Sequence, residues 1–227
     1  MRNFYNNLNL LKIPVQELEK EPVEKGKILF YGHSLFTRWS EKYNNRRLDE
    51  DIRMKDGSLA CVNHGFGGSN SEDLLFYYSR LVRPWEPRAL VLISLANDGM
   101  YAIDLEQSIT NIVRLCHWAR ADFPDIPIYI IESHPHPKMA ANTMPDRCNV
   151  GLHRKNYYNQ ALAEYAAAHE GVKIIQLWDK PEFFKEGQLG NFREVREELF
   201  EEDGVHLNQA GYDIFGPIIK EALEELL

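Results

Sequence analysis

The sequence of 227 residues contains only three cysteines, Cys61, Cys116 and Cys148. An odd number at wide, unrelated spacings excludes a disulfide framework. No Cys-x-x-Cys pair occurs, so we predict no structural zinc site and no metal or other cofactor. Basic residues are also scarce, because 26 Lys and Arg stand against 34 Asp and Glu, a net charge of −8. This acidic balance argues against a nucleic-acid partner, which would require basic stripes.

Long hydrophobic runs are absent as well. No apolar stretch approaches the ~20 residues of a membrane-spanning helix, so we predict no membrane span. Residues 1–11 contain neither a continuous apolar segment nor a small-residue cleavage site, and we therefore expect a cytoplasmic protein. The segment GFGGSN at residues 65–70 lacks the order GxGxxG, and no Walker lysine follows it. A nucleotide- or flavin-binding protein is disfavoured on these grounds.

What the chain does have is a 44% hydrophobic content, enough to bury one full core. We predict a charged N-terminal arm over residues 1–26 and a single domain over residues 27–227. Short apolar runs predict five strands, and amphipathic segments between them predict helices. Such alternation is typical of an α/β fold with a parallel sheet. The predicted strands are residues 27–31, 59–62, 89–95, 126–131 and 172–178. The predicted helices are residues 34–42, 104–118, 153–169 and 209–227, together with one that is capped within residues 69–72, has apolar positions over residues 74–81 and is ended by Pro84.

Two places in this pattern are less regular. Pro217 lies inside the last predicted helix and indicates a kink or a boundary there. Residues 135–149 have no apolar periodicity, and loops of that length are usually functional or mobile.

Polar and glycine-rich segments follow the predicted strands. Sites in open parallel sheets form beyond the carboxyl ends of the strands. These positions hold Ser34 after the first strand, Gly68 after the second and Asn97 after the third, while Asp203 and His206 precede the last helix. We therefore expect these five residues to come together.

This residue set suits acyl transfer. A serine hydroxyl is a weak nucleophile that needs a base, and the base needs a third group to orient it. His206 lies three positions after Asp203, so one turn places both side chains on the same side. We predict Ser34 as nucleophile, with the backbone N–H groups of Ser34 and Gly68 and the side-chain amide of Asn97 as oxyanion donors. One such donor is typically worth about 10²–10³ in rate.

The same segments, in this order, resemble blocks I, II, III and V of the SGNH (GDSL-like) hydrolases. The resemblance covers residues from about 27 to the end of the chain. It implies a flavodoxin-like three-layer α/β/α sandwich, metal-independent ester hydrolysis through an acyl-serine and a shallow, open site. The compact length is similar to the platelet-activating-factor acetylhydrolase-like and small carbohydrate-esterase branches. We expect a small-molecule ester substrate, such as an acetylated sugar, a short-chain ester or a lysophospholipid.

Two positions depart from the family pattern. His33 stands where block I has an aspartate, a change that bears on the support of the turn before Ser34. Leu95 stands where block III has a glycine, a change that bears on the shape of the pocket beside Asn97.

Other interpretations remain open at the level of sequence. Ser34 alone could be a helix N-cap, Gly68 part of a tight turn and Asn97 a turn residue. The whole fold could also serve as a non-catalytic ligand-binding domain. His33 is a poor candidate for the base, because adjacent side chains usually diverge.

Three histidines are assigned to the substrate rim, namely His33, His134 and His136. For His134 and His136 the alternatives are plain loop residues or a metal pair, although two histidines without a third ligand are weak support for a metal. A homo-oligomer is compatible with the sequence, which shows no interface signature.

Overall fold

The computed structural model describes residues 4–140, 145–186 and 194–227. Five short strands form one sheet in the spatial order β2-β1-β3-β4-β5. All neighbouring strands are parallel, which confirms the predicted α/β class. This strand order is that of flavodoxin-like doubly wound sheets. The strands are β1 (Ile28–Gly32), β2 (Cys61–Gly65), β3 (Ala89–Leu92), β4 (Ile128–Ile131) and β5 (Val172–Ile175).

Helices cover both faces of the sheet. Helices α1, α4, α5 and α7 contribute to one hydrophobic cluster, and α2, α3 and α8 contribute to the other. The helices are α1 (Phe4–Leu18), α2 (Ser34–Thr37), α3 (Leu48–Asp51), α4 (Ser71–Leu81), α5 (Leu105–Asp122), α6 (Pro137–Ala140), α7 (Pro145–Ala167) and α8 (Gln209–Ala222).

The strands are buried on both faces, which explains why they appear in the sequence as continuous apolar runs. Along β1, Ile28 and Phe30 belong to one cluster, whereas Leu29 and Tyr31 belong to the other. All four side chains are fully buried. Full burial of one such side chain stabilises the fold by roughly 1.5–3 kcal/mol. The central strands therefore form a rigid base for the loops at their carboxyl ends.

Helix α7 differs most from the expectation. It begins at Pro145, inside the segment that we predicted to be a loop, so that prediction is wrong from residue 145 onward. Its first turns carry polar residues, so no apolar period marks them in the sequence. Residues 141–144 of the predicted loop lie outside the described residues.

Other boundaries also move. Helix α2 ends at Thr37 rather than residue 42, and strands β3 and β5 end three residues earlier than predicted. Helix α8 continues through Pro217, which therefore marks no boundary. In the N-terminal arm, α1 buries Leu11 and Val15 in the same cluster as α4 and α5.

Candidate active site

Ser34 is the first residue of α2, directly after β1. A Cβ added at Gly32 would lie 2.4 Å from the Ile93 Cγ2 atom, so only glycine allows the chain to turn this close to its neighbour. His33 has extended backbone angles and caps the helix, since its Nδ1 atom accepts the Leu35 N–H at 3.3 Å. An aspartate would cap in the same way. The turn before Ser34 thus keeps its support despite the departure from the family pattern.

The loop of residues 203–206 approaches Ser34 from the other end of the chain. The His206 Nε2 atom lies 2.9 Å from the Ser34 Oγ atom. On the other side of the ring, His206 Nδ1 lies 2.6 Å from Asp203 Oδ2. Because an ionised carboxylate only accepts hydrogen bonds, Nδ1 carries the proton and leaves the Nε2 lone pair facing the serine hydroxyl. The structure therefore brings together three of the predicted site residues.

Asp203 is fixed by its own loop. Its Oδ1 atom accepts the backbone N–H groups of Val205 and His206, both at 2.9 Å. Partial burial raises the pKa of Asp203, but these amides and the His206 ring outweigh it and lower the pKa to about 2. The carboxylate is consequently charged throughout the range in which histidine titrates.

A helical anchor ties this arrangement together. The Tyr212 hydroxyl of α8 donates to the Leu35 carbonyl at 2.7 Å, next to Ser34. Its ring stacks on Trp39 with centroids 5.3 Å apart. The helix that follows the 203–206 loop is thereby attached directly to the helix that begins at Ser34.

The loop of residues 67–71 lies against Ser34 on the opposite side. A Cβ added at Gly67 would be 3.7 Å from the Ser34 Cβ atom. Gly68 has φ +86°, a left-handed conformation that favours glycine. Within the part of the chain that the structure describes, the backbone N–H groups of Ser34 and Gly68 donate to no protein acceptor. Two predicted oxyanion donors are thus open to a ligand.

Asn97 is held toward the same loop. Its Nδ2 atom donates to the Ser69 carbonyl at 2.8 Å. A primary amide carries two hydrogens, so this bond leaves one of them for a ligand. The interaction orients the amide and ties the segment that follows β3 to the 67–71 loop.

Below Asn97 lies a buried carboxylate that the sequence analysis did not single out. Asp98 is 0% exposed and accepts from the Ser71 hydroxyl, from the Ser71 N–H at 3.3 Å and from the Ser108 hydroxyl at 2.9 Å. Asn111 donates in turn to Ser71 Oγ at 2.9 Å. This cluster of Asp98, Ser71, Ser108 and Asn111, called the Asp98 network below, joins the segment after β3 to α4 and α5. In the sequence, the position of Asp98 directly after Asn97 is the feature that could have indicated this carboxylate.

Leu95 turns the chain between β3 and Asn97. Its φ is +79°, in the left-handed region where glycine is at ease and leucine is strained. The side chain is buried in the cluster shared with α4 and α5 and is 6% exposed. The glycine of the family pattern would adopt this left-handed backbone conformation without strain. In this chain the leucine fills the interior and does not line the site.

The three histidines assigned to the substrate rim have different environments. His33 is 3% exposed and serves as the helix cap described above. His134 is also buried, and its Nε2 atom lies 3.2 Å from the Val205 carbonyl. His136 is partly exposed, with its ring centroid 5.7 Å from that of His134. Among the described residues, no three His, Cys, Asp or Glu side chains come close enough together to hold a metal ion.

A second residue that the sequence analysis missed is Arg38. Its Nη1 atom lies 3.6 Å from Asp203 Oδ2, the same oxygen that pairs with His206. Nothing in the local sequence indicates this contact, because it joins residues far apart in the chain.

Two grooves lie away from these residues. One groove of about 640 Å³ runs between α4 and α5, and another of about 650 Å³ follows the free edge of β2. Neither is lined by Ser34, Asp203 or His206. Over residues 4–140, 145–186 and 194–227, no helix has the length and apolar character needed to cross a membrane.

Comparison with known proteins gives a family match. A family model described as GDSL-like lipase/acylhydrolase matches residues 30–214. No curated protein sequence matches the chain.

Several crystal structures share the fold. A proposed acylhydrolase from Bacteroides fragilis is 19% identical over 100% of both chains, with a TM-score of 0.72. A GDSL-like lipase from Bacteroides thetaiotaomicron is 19% identical over 96% of this chain and 98% of its own, with a TM-score of 0.68. An acetyl xylan esterase is 16% identical over 87% and 99%, with a TM-score of 0.64. At such identities the likeness concerns the fold.

Proposed function

The chain belongs to the GDSL-like lipase/acylhydrolase family, and we propose that Ser34, His206 and Asp203 form the catalytic triad with which it hydrolyses carboxylic esters. The observation that carries this proposal is the unbroken hydrogen-bond chain. It runs from Ser34 Oγ to His206 Nε2 at 2.9 Å and from His206 Nδ1 to Asp203 Oδ2 at 2.6 Å. Both distances lie within the reach that proton transfer requires.

The first half of the reaction acylates Ser34. Its Oγ atom attacks the carbonyl carbon of the ester while His206 Nε2 takes the hydroxyl proton. The charged carboxylate of Asp203 stabilises the imidazolium that forms. When the tetrahedral intermediate collapses, the bond to the alcohol oxygen breaks, and His206 returns the proton to that oxygen.

The second half releases the acid. A water molecule gives a proton to His206 Nε2, and its oxygen attacks the acyl carbon. Ser34 Oγ then leaves and takes the proton back from the imidazolium. The products are one alcohol and one carboxylic acid, and the enzyme returns to its starting state.

The oxyanion of both intermediates needs donors. We assign this role to the backbone N–H groups of Ser34 and Gly68 and to the second amide hydrogen of Asn97. The unpaired amides and the Asn97–Ser69 bond support the assignment. Since the donors are held in place before the substrate arrives, no reorganisation is needed during the reaction.

The proposed substrates are small acyl esters, such as an acetylated sugar, a short-chain ester or a lysophospholipid. One structural neighbour is an acetyl xylan esterase, and another is a family 3 carbohydrate esterase from Clostridium thermocellum. These neighbours make acetylated sugars the first substrates to try.

The alternative of a non-catalytic binding domain gains no support from the geometry. His33 was the departure that kept it open, and His33 caps the turn through Leu35 N–H. A binding domain would have no need for the chain of contacts around His206.

The test uses p-nitrophenyl acetate and a fluorophosphonate probe. We expect the wild type to hydrolyse the ester and to be labelled, and Ser34→Ala to lose labelling and at least ~10³-fold of the rate. Ser40→Ala is the matched control, because Ser40 lies six residues on in the same segment and donates to the Thr37 carbonyl instead. Labelling of folded Ser34→Ala at the wild-type level would refute the proposal.

A further inference from the structure

Arg38 occupies an unusual position for a surface arginine. Its backbone N–H donates to the Ser34 carbonyl at 2.8 Å, one helical turn after the proposed nucleophile. Its carbonyl accepts the side-chain amide of the buried Asn45 at 2.8 Å. The backbone of Arg38 is therefore fixed relative to Ser34.

The side chain is fixed as well. The guanidinium carbon lies 5.1 Å from the centre of the Tyr43 ring, within the range of a cation–π contact. From there the Nη1 atom lies 3.6 Å from Asp203 Oδ2, which is longer than a good hydrogen bond but close for two charges. With 28% of the Arg38 side chain and 37% of the Asp203 side chain exposed, the pair adds little to the free energy of unfolding.

The Arg38–Asp203 pair affects the reaction rather than the stability of the fold. Asp203 Oδ2 is the oxygen that stabilises a positive charge on His206. A permanent positive charge beside the same oxygen opposes the formation of that imidazolium. Arg38 therefore favours the neutral ring, which is the form able to accept a proton from Ser34.

We propose that Arg38 is a positioning residue whose charge extends the activity of the Asp203–His206 pair to lower pH. The inference rests on the proposed function of that pair. Asp203 does not depend on Arg38 for its orientation, because the amides of Val205 and His206 hold its other oxygen. The charge effect can thus be separated from a structural one.

Other charged groups face the loop and must be considered. Lys138 of α6 donates its N–H to the Gly204 carbonyl at 3.3 Å, and its side chain lies over Gly204. Glu201 and Glu202 directly precede the loop, and His134 contacts Val205 from the segment after β4. Among the described lysines and arginines, Arg38 is the one with a side-chain nitrogen within 4.0 Å of the Asp203 carboxylate.

The experiment compares pH profiles of kcat/KM for the wild type, Arg38→Met, Arg38→Lys and Arg83→Met. Arg83 pairs with Asp122 away from the site, so Arg83→Met removes the same charge and serves as the control. We expect the acid limb of Arg38→Met to move up by about 0.5 pH unit at low salt. Arg38→Lys should follow the wild type, and so should Arg83→Met. At 1 M salt the difference between the wild type and Arg38→Met should narrow, because the screening length falls to about 3 Å.

A second readout does not depend on turnover. The titration of the His206 ring, followed by NMR and assigned with His206→Asn, should move in the same direction in Arg38→Met. Failure of the proposed function would abolish activity but leave this titration measurable. Arg38→Gln provides a second neutral variant if Arg38→Met does not fold. Equal midpoints in the wild type and a folded neutral variant, or an Arg38→Lys profile matching Arg38→Met, would overturn the inference.

Discussion

The two sides of the candidate active site are supported in opposite ways. Asp203 and His206 are partly exposed, and the hydrogen bonds that orient the Asp203 carboxylate lie within a four-residue loop. The side formed by Gly68 and Asn97 rests on the Asp98 network, which is buried and joins three elements of the fold. One side has local support and the other has global support.

This difference separates chemistry from stability. A change in the 203–206 loop removes a proposed catalytic group while the core stays intact. A change in the Asp98 network leaves buried donors without an acceptor. The cost of desolvating these donors then lowers the free energy of unfolding of the whole domain. Substitution of Asp203 should therefore lower activity, whereas substitution of Asp98 should lower the free energy of unfolding.

The largest expected effect is that of Asp203→Asn. The amide cannot stabilise an imidazolium as a carboxylate does, and it allows the wrong ring tautomer, so we expect kcat to fall by about 10⁴. The free energy of unfolding should change by less than about 1 kcal/mol, because the site is partly exposed. Steady-state kinetics and urea unfolding measure the two quantities. Glu202→Gln is the control, since this exposed neighbour should keep wild-type activity. If Asp203→Asn lost stability without losing kcat, the comparison between the two sides of the site would be reversed.

A medium effect is expected for Asp98→Asn. The amide group would face the donors of Ser71 and Ser108, so we expect a loss of about 2–3 kcal/mol in the free energy of unfolding. Urea unfolding of this variant beside Asp104→Asn gives a matched pair. Asp104 caps α5 from an exposed position, and asparagine caps equally well, so its replacement should cost under ~0.5 kcal/mol. If the two variants unfolded at the same urea concentration, global support of the Asn97 side would be refuted.

The smallest effect concerns Leu95 and sharpens the comparison at the boundary between the two sides. Glycine normally destabilises relative to alanine by roughly 0.5–1 kcal/mol. At φ +79° the sign should reverse, and Leu95→Gly should be more stable than Leu95→Ala by about 1 kcal/mol. The same pair of substitutions at Leu92, in β3, should show the normal order. Thermal unfolding of the four variants checks this, and an Ala variant more stable than Gly at residue 95 would show that the backbone there is not strained.

Much of the sheet was predictable because its strands are buried on both sides, as Ile28 to Tyr31 illustrate. The order of residues along the chain also placed Ser34, Asp203 and His206 at one end of the sheet. What could not be predicted depends on contacts between distant residues. The start of α7 at Pro145 lacks an apolar period, and the approach of Arg38 to Asp203 arises only from the folded geometry.

The boundary of α2 shows the same limit. A helix to residue 42 fits the local composition, but the structure ends α2 at Thr37. The end of β2 runs directly beneath that helix, since a Cβ added at Gly65 would lie 2.4 Å from the Thr37 N atom. Tertiary packing thus overrides local propensity.

The bond between Ser34 and His206 joins residues 172 positions apart, and the Tyr212 hydroxyl closes the same span. A contact across this span cannot form before both ends of the chain are in place, because domains generally fold as units. Ester hydrolysis by the refolding chain would therefore report completion of the whole fold, whereas spectroscopic probes of the helices report only local structure.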